Sequence, residues 1–411
     1  LRNFVRSASL YLGLVVLFVV GTFVSPQFLT IDNQRDVFWQ VSSNGIVAVG
    51  MTMVILTAGI DLSVGSLLSV CSVICAMLLM ERTWTDATSL AIPSTAVVAA
   101  AIVAGIVGRV LRGKARQVDV SIGKRLVPWV VGLVVAAAIW GVASSRVSPG
   151  FGTLGVLLLV PPIGIVLGAL NGALISKGKL QPFIVTLAMM VSAVGLAKYI
   201  AGSGGRIHPV YFADPAAKVD GAPHSFELLA SNLSVAGKDL IPVPGIFFAV
   251  IAIVAWVLLG KLRFGRYIYA VGGNEETARL SGINTDRVKT LVYAISGFLC
   301  AVAAVLYCAQ YQQGKADAGA GRELDAIAAV VIGGTSLMGG RGGIGGTVVG
   351  VFIFGYLSNI LNLRGVPTEF QAILKGVIII VAVLLQEGIL ARWIGDAYRM
   401  IKTAQSSKPA A

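Results

Sequence analysis

Apolar runs of about 17 to 20 residues, the length needed to cross a hydrocarbon layer roughly 30 Å thick, recur along nearly the whole of this chain rather than at a single anchor. In lipid every backbone N–H and C=O must find its partner within the protein, which restricts such segments to helices packed against one another. About twelve spans are expected, over 9–24, 38–58, 64–80, 94–111, 127–143, 154–176, 183–201, 244–260, 290–309, 324–338, 345–363 and 370–386. The fold class this predicts is all-α: a polytopic transmembrane bundle of about 10–12 spans with broken helices, forming one membrane domain over residues 1–411. Composition agrees, since 56% of the residues are hydrophobic, 12% are charged and the mean hydropathy is +0.86. A soluble globule cannot carry that on its surface.

The formal charge of +13 is read as orientation rather than as affinity for nucleic acid, because Lys and Arg are retained on the cytoplasmic side of membrane proteins. With the N-terminus inside, the runs 112–126 and 261–289, the pair Lys177 and Lys179, and the tail Arg392 to Lys408 all become cytoplasmic. Twenty-one Lys and Arg then face inward and nine outward, with Lys198 and Lys375 inside spans. Both termini are therefore expected in the cytoplasm. The run from Leu10 to Val24 is read as a retained first span, since no small-residue cleavage site follows it before Pro26.

Several chemistries have no residues to support them. No Walker A loop is present, and the nearest approach, Gly172 to Lys179, has the wrong spacing and joins two spans. No G-x-S-x-G elbow, H-E-x-x-H pair or dinucleotide fingerprint occurs in a soluble setting, and the soluble stretches are too short for a catalytic domain. Cys71, Cys75, Cys300 and Cys308 lie within apolar runs, where they serve as small packing residues. His208 and His224 share one external loop without a ligand pattern, so neither metal nor cofactor is expected. No residues here carry an enzyme reading.

Two stretches interrupt the apolar helices. In the first, Ala58-Gly59-Ile60-Asp61-Leu62-Ser63-Val64-Gly65-Ser66, a carboxylate lies at bilayer depth, where it costs about 3 kcal/mol unless it faces protein or water. Asp61 or Ser63 can cap the following helix, and the break can also line a substrate path. In the second, Gly333 to Gly343 follows Glu323 and Asp325 and repeats the spacing, with Gly59 to Gly65 and Gly333 to Gly339 equally separated. This is an echo of the internal repeats common in transporters, with close packing of small residues as the alternative. Asn44, Asn171, Asn359 and Asn362 sit in apolar runs and suit interhelical hydrogen bonds or contacts to a hydroxylated solute. The translocation-path candidates are Asn44, Asp61, Ser63, Ser66, Asn171, Asp325, Thr335 and Asn359.

Between two spans, residues 261–290 form a polar stretch with its own helix signals: Asn274 suits an N-cap, Glu275 and Glu276 the positive end of a helix dipole, and Gly282 the stop. A short capped helix at the cytoplasmic face is expected, either as an interfacial helix or as a handle for a separate motor. The external loop 202–243, with Asp214, Asp220, Glu227 and Asp239, reads as a connector or a docking surface.

Four segments in order, Gly59 to Ser66, Gly265 to Glu276, Ala278 to Asn284 and Glu323 to Ser336, resemble the ribose/xylose-type permeases of bacterial ABC sugar importers. The resemblance implies an inner-membrane subunit that carries a monosaccharide from periplasm to cytoplasm by alternating access. The partners it implies are a second permease protomer (a homodimer or a close relative), a cytoplasmic ATP-binding cassette ATPase, a periplasmic sugar-binding protein and membrane lipid, with no nucleic acid. It also implies that 265–284 is the ATPase-coupling region, with Gly265, Arg266, Tyr267, Gly272, Asn274, Glu275, Ala278, Ser281 and Gly282 as its residues. Residues 112–150, a basic loop followed by an extra apolar run, depart from the compact ribose-type pattern of about ten spans. Rival solutes are branched-chain amino acids and nucleosides. A stand-alone ion-coupled carrier would use Asp61 or Asp325 as its coupling carboxylate.

Overall fold

The computed structural model describes residues 2–114, 122–147, 150–202, 204–213, 221–235 and 238–386. The first half consists of α1 (Arg2–Val24), α2 (Ile31–Leu56), α3 (Val64–Met80), α4 (Asp86–Lys114), α5 (Ile122–Ser145), α6 (Thr153–Ser176) and α7 (Pro182–Ala201). A connecting region follows, holding β1 (His208–Pro209), the single-turn α8 (His224–Glu227), and β2 (Asn232–Val235) paired antiparallel with β3 (Lys238–Pro242). Then come α9 (Val243–Lys261), α10 (Arg263–Gly273), α11 (Glu275–Leu280), α12 (Thr285–Tyr311), β4 (Gln313–Gly314), α13 (Arg322–Ile332), α14 (Ile344–Leu363) and α15 (Thr368–Gln386). Eight of these helices (α2, α4, α5, α6, α7, α9, α12 and α14) are long and apolar enough to cross a membrane, and Tyr11–Val24 and Val64–Met80 are shorter apolar helices. The helical bundle expected from the sequence is what forms, with the small strands confined to its edge.

The core is a column of α2, α3 and α12, with α3 buried along nearly its whole length and α2 and α12 along most of theirs. On this column α6 packs through Gly164, Gly168 and Gly172, spaced four apart on one face. A Cβ at these positions would strike the Gly297 carbonyl, the Tyr293 carbonyl and Thr290 of α12. Small residues let the two backbones approach, which matters in lipid because apolar surface alone supplies little drive for association. The extra apolar run predicted within 112–150 is α5, which packs on α4 with Gly132 against the Ala100 carbonyl. It turns Trp129, Leu133 and Val142 outward, as a lipid-facing helix should. Residues 115–121 lie outside the described residues, as do Asp214 and Asp220 of the 202–243 loop and the tail beyond 386.

One predicted span is corrected. The crossing placed at 324–338 is not a full helix: α13 has 11 residues, about 16 Å at 1.5 Å per residue, which is half a bilayer. Residues 312–321 make the other half as irregular chain descending beside α3. Such backbone is tolerated at depth only when protein satisfies it. Here Ser72 Oγ donates to the Lys315 carbonyl (3.2 Å), Ser69 Oγ accepts from the Gly319 N–H (3.0 Å), and Gly65 and Gly319 pack backbone to backbone. Serines on an otherwise apolar helix are therefore what hold the descent, and the half-helix begins near the middle of the bundle.

Candidate functional site

At the end of the bundle where α2 terminates, three segments interlock. The Leu56 carbonyl accepts from the Gly340 N–H (3.0 Å), and Tyr269 Oη donates to the Gly342 carbonyl (2.9 Å). Gly272 leaves no room for a Cβ between the Leu56 carbonyl and the Gly340 N–H, while Gly339 faces the Ala58 N–H and the Gly272 carbonyl. Gly339 and Gly340 take positive φ of 83° and 67°, a conformation that costs other residues roughly 1–2 kcal/mol. Both glycine-broken stretches and the polar segment after α9 thus meet at one point, which we call the junction.

The polar segment folds as two helices rather than the single one expected. In α10, Gly265, Ile268, Val271 and Gly272 are buried, with Gly265 seated against the Leu258 and Leu259 carbonyls of α9. Asn274 caps α11 as the sequence indicates, its Oδ1 accepting from the Thr277 N–H (2.8 Å), and Gly282 ends the helix at φ 83°. Ala278 is buried, and Glu275 ties α11 to α12 through Lys289 (2.5 Å). Arg266, Tyr267, Ser281 and Leu280, the last 81% exposed, face outward. Burial holds the Tyr269 phenol above its ordinary range.

Asp61 is fully buried, but its role differs from a helix cap. Ser63 occupies the N-cap position of α3 without a side-chain bond into the first turn. Instead Asp61 Oδ1 accepts from the N–H and Oγ of Ser63 (3.0 and 2.6 Å), and Oδ2 accepts from Ser296 Oγ of α12 (3.2 Å). Asn171 of α6 donates to Ser63 Oγ (2.9 Å), and Ser66 Oγ donates to the Ser63 carbonyl (2.8 Å). Asp61 thus fastens the break to α12, and Ser63 fastens it to α6.

The remaining path candidates do not join this cluster. Asn359 exchanges hydrogen bonds with Asn33 (2.8 and 3.1 Å), and Thr335 is buried beside Gly342 in the second break. Asn44 and Asp325 instead face a cavity of about 280 Å3 between α2, α13, α14 and α15. There Arg322 Nη1 donates to Asn44 Oδ1 (2.8 Å) and its guanidinium lies over the Tyr307 ring (5.2 Å), while Lys375 pairs with Asp325 (3.0 Å). Sequence reasoning missed Arg322 and Lys375. The signal available was Lys375 itself, an ionisable side chain inside a span.

A second cavity, of about 620 Å3, lies at the opposite end between Trp39, Gln310, Gln312 and the His224–Ser231 segment. There His224 Nδ1 is 3.2 Å from Glu227, and Asp239 accepts from Ser234. The four cysteines are buried.

Comparison with known proteins accords with this architecture. The family model described as branched-chain amino acid transport system / permease component matches residues 110–383. The ribose import permease protein of Escherichia coli (strain K12) is 37% identical over 376 residues, covering 91% of each chain. The galactose/methyl galactoside import permease protein of the same strain is 30% identical over 384 residues, covering 93% of this chain and 94% of that protein. The xylose transport system permease protein of Haemophilus influenzae is 31% identical over 421 residues, covering 91% and 94%. No solved structure matches. With two thirds of its length matched by the family model and identities of 30–37% to relatives over about nine tenths of the chain, this chain belongs to the branched-chain amino acid transport system / permease component family, with sugar import permeases among its relatives.

Proposed function

We propose that this chain is the membrane subunit of an ATP-driven importer that moves a monosaccharide from periplasm to cytoplasm by alternating access. It pairs with a second permease protomer, takes its power from a separate ATPase and receives its solute from a periplasmic receptor. The relatives named above, ribose, galactose and xylose permeases, supply the solute class. The junction end then lies in the cytoplasm, as do both termini, and the 202–243 connector becomes the receptor-facing loop.

The observation that carries the mechanism is the junction. A force applied to α10 and α11 reaches the ends of both broken stretches through backbone contacts, without passing through a flexible side chain. Within the coupling region the roles divide. Gly265, Gly272 and Ala278 are buried and position the segment, Asn274, Glu275 and Gly282 shape it, and Arg266, Tyr267 and Ser281, together with Leu280, are presented to the ATPase. Asp61 is enclosed by hydrogen bonds, so it does not stand open as the coupling carboxylate of an ion-driven carrier, and Asp325 is paired with Lys375.

The test is capture of the co-expressed ATPase by detergent-solubilised permease, comparing the native chain with a Tyr267→Glu/Leu280→Glu double variant. Both side chains are exposed, so the fold should survive, as checked by an unchanged elution profile. Capture by the native chain and its loss in the variant is the expected result. Uptake by the permease reconstituted alone, without any ATPase, would refute the ATP-driven reading.

A further inference from the structure

The Asn44–Lys375 cavity has a composition that interhelical packing does not require. Charged and amide groups from four helices converge on about 280 Å3 of space, at a depth where each would ordinarily seek a protein partner or water. Their hydrogen-bonding capacity exceeds what the protein uses. Lys375 has three N–H groups and gives one to Asp325, while Arg322 has five and gives two, to Asn44 and to the Ala318 carbonyl. Asp325 Oδ2 accepts from Lys375, which leaves its other oxygen available. Gln371 donates to Asn362 Oδ1 (2.8 Å) and to the Val366 carbonyl (2.9 Å), so its own Oε1 is an acceptor in reserve.

Val41, Val351 and Phe354 add apolar surface to the same lining. Donors and acceptors together with hydrocarbon surface in one cavity complement a molecule with ring hydroxyls and a C–H surface. The cavity extends from Ala329 on α13 to Tyr311 and Thr368, away from the junction. Its inner end therefore abuts the half-helix whose far end the junction holds.

We propose that this cavity is a waypoint for an uncharged polyhydroxylated solute, whose hydroxyls bridge Arg322, Asp325 and Lys375. The proposal rests on the importer reading and gives the solute a location within it. The Lys375–Asp325 pair supplies a donor and an acceptor side by side, the arrangement that suits adjacent hydroxyls, and it joins α13 to α15. A weak site suffices, because a solute that is to be moved must also leave.

The experiment uses the full permease in lipid nanodiscs, with Ser358→Cys and, independently, Asn362→Cys as reporters of the cavity. A charged, membrane-impermeant thiol reagent is applied from both faces. The native cysteines are buried, and the unsubstituted chain gives the background rate. D-ribose, D-galactose and D-xylose are the probes, with D-gluconate as the anionic control. Both cysteines should react, and a sugar present at about four times its Kd, leaving a fifth of the sites open, should slow the reaction about fivefold. Failure of both cysteines to react, protection by none of the sugars, or protection by gluconate alone would overturn the site. Uptake by the wild-type assembly, with ATPase and receptor in proteoliposomes, is measured in parallel. A sugar that is transported but does not protect refutes the waypoint and leaves the importer standing, whereas transport of none of the three refutes the monosaccharide reading itself.

Discussion

The break after α2 and the break after α13 share a glycine spacing, yet they are held by different means. In the first, side chains seal the chain: Asp61 collects three hydrogen bonds from Ser63 and Ser296, and Asn171 adds a fourth contact from α6. In the second, backbone does the holding. Gly334, Gly339 and Gly340 adopt positive φ, and the loop is pinned from outside by Leu56, Gly272 and Tyr269. Hydrogen bonds between side chains inside a bundle rigidify their surroundings, and here both Asp61 oxygens are engaged, although Asn171 Oδ1 is buried without a partner. A glycine-rich loop held by neighbouring backbone can change its dihedrals once those neighbours move. The comparison assigns the first break to the frame and the second to the moving part, on the half-helix that borders the polar cavity.

The largest effect should come from unsealing the frame. Asp61→Ala orphans the Ser63 N–H and two hydroxyls in a buried site, and at about 1–3 kcal/mol for each unmet buried group the loss should reach roughly 3 kcal/mol even after the hydroxyls reorient. Asp61→Asn keeps one acceptor toward Ser63 and can donate to Ser296, so it should retain more than half of that stability. Thermal unfolding of the purified permease checks both. If Asn proves as damaging as Ala, the carboxylate charge rather than the bonding pattern is what the site needs.

A smaller effect, but one more specific to transport, is expected in the second break. Gly334 has φ 86° and open space around its missing Cβ, whereas Gly339 has φ 83° with Ala58 and the Gly272 carbonyl against it. Gly334→Ala should therefore cost only the backbone strain, about 1–2 kcal/mol. Gly339→Ala carries the same strain and also pushes the coupling segment off the junction. The ATP hydrolysed per solute moved should rise in Gly339→Ala well beyond its rise in Gly334→Ala at similar stability. Equal ratios would mean that the junction transmits nothing.

These distinctions separate what the amino-acid sequence makes visible from what it does not. Span length and apolar runs reveal the bundle because crossing lipid requires both, and Asn274 and Gly282 mark α11 because helix ends must satisfy their own backbone groups. The half-helix is invisible for the same reason: 324–338 is apolar enough to pass for a span, and the serines that satisfy the descent before it lie on α3, some 250 residues earlier. Gly272 can be picked out from its segment, but its contact with Leu56 and Gly340 is a property of three distant stretches meeting. Arg322 and Lys375 were passed over because each looks like an isolated charge until α2, α13 and α15 are assembled around one cavity.

The finest test of the comparison removes one hydrogen bond from each break. Tyr269→Phe deletes the bond to the Gly342 carbonyl, and Ser296→Ala deletes the bond to Asp61 Oδ2. A typical bond is worth about 0.5–1.5 kcal/mol net, while leaving a buried group unmet costs about 1–3 kcal/mol; the Ser296–Asp61 bond is buried and the Tyr269–Gly342 bond is exposed, so Ser296→Ala should lower the unfolding midpoint further than Tyr269→Phe. Coupling should run the opposite way. Tyr269 links the coupling segment to the second break, while Ser296 only braces the first. Tyr269→Phe should therefore raise the ATP hydrolysed per solute moved although it barely changes stability, and Ser296→Ala should lower stability with that ratio unchanged. The two readouts crossing in this manner would set the frame apart from the moving part at the level of a single bond, whereas both ratios shifting in proportion to stability would mean that the breaks act as one unit.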